Sequence, residues 1–236
     1  MGFKEIEFEH IDPDKVLSMS KNLDTIFQYN SDINKTSYLN WRTGFTHNSR
    51  QQFVIIGEAY FSTAYNLLQQ CLLNNSDKKA DSWIFPIMFN IVHGTEVYLK
   101  AINAILSIVL NKTRGVSEGG HDLKALCGTA RNLIIQYKNQ NKNKTTLEMY
   151  EAIKLVENFI LNIYAKTDDM TFARYPLAKN KEGHFYIESF DNEVIDLELL
   201  KEQMIYLFRM LEFIYEMPEM DLELRTELMA DMMEYY

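Results

Sequence analysis

Glycine and proline are scarce in this chain, with nine Gly and four Pro in 236 residues. A turn-rich β-sandwich needs more of both, so long helices are the expected fabric. Cysteine is nearly absent: Cys71 and Cys127 stand far apart and form no C-x-x-C. This excludes a disulfide framework and a thiolate zinc site, and fits free thiols in a reducing cytosol. No uncharged apolar run reaches the roughly 18 residues of a membrane span, because His93, Glu96 and Lys100 interrupt the best candidate. The opening MGFKEIEFEHIDPDK has no basic stretch followed by an apolar one, so no signal peptide is expected and the protein reads as cytoplasmic. There is no P-loop, dinucleotide fingerprint or serine nucleophile elbow, and no cofactor is expected. Positive charge is also short, with 24 Lys/Arg against 33 Asp/Glu and a net charge of −9. From Glu188 onward three Lys/Arg face fourteen Asp/Glu, which puts −11 there and leaves +2 on the first 187 residues. A strongly acidic chain is a poor nonspecific binder of nucleic acid, but the near-neutral body has room for local basic patches.

What is present is hydrophobic residue, 47% of the chain, enough for a substantial core. The longest apolar segment, Trp83 to Leu110, reads as one long helix. Ile84, Ile87, Ile91, Thr95, Tyr98, Ile102, Ile105 and Val109 recur at three- and four-residue steps. A second stripe in the same helix is polar: Asn90, His93, Glu96, Lys100, Asn103 and Ser107 share one face. Glu96 precedes Lys100 by four residues, the favourable order for an ion pair within a helix. Gly94 costs about 1 kcal/mol of helix propensity relative to Ala, a cost that makes sense if another backbone passes close. The polar stripe is either a buried network joining helices or a ligand site.

Taken in order, Asp12-Pro13 reads as the start of a helix reaching about Tyr29, followed by a polar loop to about residue 49. Further helices are expected from about Arg50 to Leu73, from Trp83 with Asp81 or Ser82 as its cap, from His121, from Thr146 to Tyr164, and from Asp196 to Glu216. Pro218 is expected to end the last of these and leave a short, separate acidic helix. Residues 165–195 break the helical pattern and carry two short alternating runs that suit a small hairpin. The expected architecture is all-α: an extension over 1–49, a bundle of four to five long helices over 50–216, and an acidic helix or tail over 217–236.

Two Glu-x-x-His pairs, Glu7/His10 and Glu118/His121, echo di-iron bundles. Neither falls on a rigid helix, so no metal site is expected. The C-terminal methionines Met217, Met220, Met229, Met232 and Met233 suit an adaptable contact surface or a helix packed on its own bundle.

The run NIVHGTEVYLKAI, then GHDLKAL, then RYP in a later loop resembles the HEPN superfamily. In that family a helix bearing hG-x-E-x-x-L-K-A precedes one opening on HDL. The matching residues here are His93, Gly94, Glu96, Leu99, Lys100 and Ala101, then His121, Asp122 and Leu123. GEAYFSTAYNLL resembles the family's preceding helix, and the likeness covers roughly residues 50–216. It implies a helical bundle, commonly a homodimer, that acts as a metal-independent RNase of toxin–antitoxin or antiviral defence systems, or that binds RNA, nucleotides or a partner protein. Active members carry Arg-x(4–6)-His in a late position. The histidine takes the ribose 2′-hydroxyl proton, and the arginine neutralises charge on the phosphorane. The one literal match here, Arg42-Thr-Gly-Phe-Thr-His47, precedes the first family-like helix. At the late position Arg174 is followed by His184, ten residues on. The expected catalytic candidates are Arg174 and His184, with Arg42 and His47 second. Asn90, His93, Glu96, Lys100 and His121 form the polar seam.

Overall fold

The structure is a computed structural model that describes residues 26–28, 30–39, 49–112, 120–178, 180–189 and 191–234. The chain divides into two compact units, Met1–Phe45 and Thr46–Tyr236, close to the expected boundary. In the first, Asp32 caps a 3-10 turn, Ile33–Lys35, by accepting the Asn34 N–H. The helix expected over 13–29 falls on residues outside those described, apart from 26–28, which form a bend. Arg42, His47, Glu7, His10 and Glu118 also lie outside the described residues.

The second unit is all helical apart from its loops: α1 (Ser49–Leu73), α2 (Ala80–Val109), α3 (Leu123–Asn141), α4 (Lys144–Tyr164), the short α5 (Phe185–Glu188) and α6 (Leu197–Glu234). Among the described residues there is no strand, and no helix is long and apolar enough to cross a membrane. The hairpin expected over 165–195 reduces to a tight turn closed by one bridge, Leu177 to Gly183. Both Cys71 and Cys127 are buried free thiols.

Helix α2 is the axis of the bundle, packed by α1, α3, α6 and the 3-10 turn Met170–Ala173, while α4 closes against α3 and α6. Every residue from Gly94 to Ser107 is buried, as an apolar helix surrounded by others must be. It begins at Ala80, earlier than expected, and neither Asp81 nor Ser82 caps it. Asn75 Oδ1 accepts the Ala80 N–H at 3.0 Å instead, so the preceding Asn/Asp turns supply the acceptors that satisfy the helix start.

Two glycines set the distance between α1 and α2. A Cβ on Gly57 would lie 2.6 Å from Tyr98 Cδ2, and one on Gly94 would lie 3.1 Å from two carbons of the Phe61 ring. Each helix thus offers a notch to an aromatic ring of the other. This accounts for the cost taken at Gly94, although what approaches is ring and Tyr60 Cβ rather than backbone. Gly57→Leu is expected to destabilise the protein by about 3 kcal/mol through overpacking against a fully buried tyrosine. Gly128→Ala in α3, where a Cβ meets nothing within 4 Å, is expected to stabilise by about 0.5–1 kcal/mol. Opposite signs in urea denaturation check the pair.

The separate acidic tail helix is corrected by the structure: α6 runs unbroken through Pro218 to Glu234. The proline removes one helical hydrogen bond, but side chains around it hold the helix to the bundle. Arg50 pairs with Glu219 at 3.3 Å, and Tyr137 Oη donates to Asp221 Oδ2 at 2.9 Å. Arg225 grips Asp221 and donates to the Val109 carbonyl at 3.1 Å, capping the end of α2.

Candidate functional site: one carboxylate shared by two histidines and a lysine

Glu96 sits midway along α2, one turn after His93 and one before Lys100. Its Oε1 accepts from Lys100 Nζ at 2.8 Å and from His121 Nδ1 at 2.8 Å, while Oε2 lies 3.5 Å from His93 Nδ1. Helix periodicity places the first three residues together. His121 arrives from another element. Gly120 turns the chain at φ +65°, a conformation suited to glycine. Asp122 then takes the N-cap of α3 by accepting the Ala125 N–H at 3.1 Å. The imidazole before the cap is left to reach back to Glu96.

Burial alone would push the Glu96 carboxyl up. Hydrogen bonds from His93, Lys100 and His121, with the Lys100 charge, outweigh it and hold the group down to about 2. An ionised carboxylate only accepts, so the Nδ1 of His121 carries the proton on that side. Neutral His121 therefore presents Nε2 as a base, and its side chain is 83% exposed. His93 is more enclosed, stacked on Phe89 (centroids 5.5 Å, planes 13° apart) with the Tyr60 ring edge-on at 4.7 Å.

Phe89 also carries Arg174. The guanidinium carbon is 5.8 Å from the Phe89 ring centre and 5.7 Å from that of Tyr175. The 3-10 turn before it is fixed by Asp169, whose Oδ1 accepts from both the N–H and the hydroxyl of Thr171. Tyr186 Oη ties the same turn by donating to the carbonyls of Phe172 and Tyr175. Arg174 is exposed and shares the Phe89 ring with His93.

His184 does not join it. It precedes α5, where its carbonyl accepts the Ile187 N–H, and its ring stacks beside Tyr186. The side chain is buried, with Nε2 lacking a hydrogen-bond partner. The imidazole expected to transfer a proton is therefore enclosed, whereas the His121 side chain is open to solvent.

The rest of the polar seam divides. Asn103 Nδ2 donates to the Leu126 carbonyl at 3.1 Å and so fastens α2 to α3, while Ser107 bonds within its own helix. Asn90 likewise bonds within the helix, to the Pro86 carbonyl. Sequence reasoning gathered the α2 residues and His121 but missed the Phe89–Arg174 stack. The only signal for that pair was an aromatic residue one turn before His93. Among the described residues no group of three His, Cys, Asp or Glu is placed to hold a metal ion. The chain matches no family model, no curated protein and no solved structure.

Proposed function

We propose that this is a HEPN-like RNA-binding protein that cleaves RNA through the ribose 2′-hydroxyl without a metal. The observation that carries the reading is the ionised, nearly buried Glu96 shared by His93 and His121, with Arg174 one aromatic ring away. Two imidazoles on the two oxygens of one carboxylate form an acid–base pair. One takes the 2′-hydroxyl proton as that oxygen attacks phosphorus. The other, entering as imidazolium, gives its proton to the 5′-oxygen as the P–O5′ bond breaks. The products are a 2′,3′-cyclic phosphate and a 5′-hydroxyl, and the two histidines have exchanged protonation states. Arg174 steadies the phosphorane charge. The HEPN likeness of the His93–Ala101 and His121–Leu123 segments supports the same reading, since these segments supply the cluster.

Incubation with mixed tRNA and mRNA in EDTA is expected to give fragments ending in cyclic phosphate, and a 2′-deoxy copy of the cleaved sequence is expected to stay intact. Equal cleavage of the deoxy strand overturns the mechanism.

A second reading, a non-catalytic docking module, is favoured by the end of α6. Met220, Leu224, Leu228, Met229, Met232 and Met233 are exposed there, interleaved with Asp221, Glu223, Glu227 and Asp231. A folded protein that leaves RNA intact, yet binds a partner that the Leu224→Lys/Leu228→Lys variant does not, decides for that reading.

A further inference from the structure

The segment 165–196 does more than position Arg174, because it roofs a cavity of about 580 Å³. The walls come from three helices: Ile84, Phe85 and Met88 of α2, Phe159 and Ile163 of α4, and Leu200 of α6. Phe172, Phe185 and Tyr186 of the roof complete them. The size falls within the roughly 300–1,000 Å³ of small-molecule sites. Five of the lining side chains are aromatic, and the rings are already mutually ordered. Phe85 lies 5.2 Å from Tyr186, Phe172 lies 5.8 Å from Phe185, and Phe185 meets Tyr186 edge-on at 5.4 Å. Such walls suit a flat ring system, which gains offset or edge contacts on every side.

The lining also carries charge. Lys166 and Glu193 belong to it and pair at 2.8 Å. Both are partly exposed, so the pair is weak. Asp81 also lines the cavity, is exposed and makes no ion pair among the described residues. The Lys166 and Glu193 charges cancel, so the net charge left for a ligand is that of the Asp81 carboxylate, in a lining with five aromatic rings. That combination favours a cation, which the ring faces also attract.

We infer that this cavity is a binding site for a small aromatic amine, its ring system among Phe85, Phe172 and Tyr186 and its ammonium against Asp81. The site is separate from the histidine cluster and does not depend on RNA cleavage. Three probes that share one ring system and differ in charge test it: naphthylmethylamine, methylnaphthalene and naphthalenesulfonate, titrated calorimetrically into the full chain. Saturable one-to-one binding is expected, with the amine about tenfold or more tighter than the sulfonate, a ratio Asp81→Asn abolishes. Filling the cavity with Ile84→Trp, or from another wall with Leu197→Trp, is expected to remove binding, with circular dichroism showing which variant has folded. The site is overturned by no saturable binding to the wild type, or by unchanged binding in a folded, filled variant. Equal affinity for the three probes overturns the assignment to an amine.

Discussion

Glu96→Ala is expected to lower stability by about 3 kcal/mol at neutral pH, because it leaves the Lys100 ammonium buried without its counter-charge. In a chain of this size that is a fall in Tm of roughly 6–12 °C. The loss reflects an orphaned charge more than the worth of the pair, so Glu96→Gln/Lys100→Met is expected to recover most of it. The pH dependence gives a second readout. The Glu96 carboxyl falls from the ordinary 4.5 to about 2 in the folded protein. The unfolded chain therefore binds the proton more readily, and stability rises with pH across that interval. The contribution, roughly 3 kcal/mol, is complete above pH 4.5 and is lost as pH falls toward 2. Urea midpoints between pH 2 and 5 are expected to climb more steeply for the wild type than for Glu96→Gln. Parallel curves would mean that Glu96 is not held ionised by its neighbours.

The legible parts of this architecture are those that repeat at helical spacing. The apolar period of α2 located the core, and the polar residues three and four apart located Glu96 and Lys100 on one face. A glycine in an otherwise apolar helix located the contact with α1. What stayed hidden depends on distance along the chain. Nothing in the sequence says that Arg225 closes the end of α2, 116 residues away, so Pro218 reads as a helix stop when tertiary ties carry the helix past it. The HEPN resemblance pairs His184 with Arg174, yet the His184 ring is folded inward. Arg174 is exposed. Its partner is an aromatic ring on α2, an interaction without a spacing rule.

His93→Ala and His121→Ala are each expected to reduce single-turnover RNA cleavage by about 10²–10⁴-fold, the range for removing a positioned acid or base. The double variant is expected to be little worse than the weaker single, since one proton transfer is of small use without the other. Arg174→Ala is expected to slow the chemical step more than it weakens RNA binding, because in the proposed mechanism the arginine acts on charge that develops only at the transition state. His184→Ala separates this assignment from the one the sequence suggests. A buried histidine inside the roof is expected to alter stability and leave the rate of the folded fraction unchanged. If His184→Ala abolishes cleavage in a fully folded protein while His121→Ala does not, the chemistry belongs to the roof and the Glu96 cluster is structural.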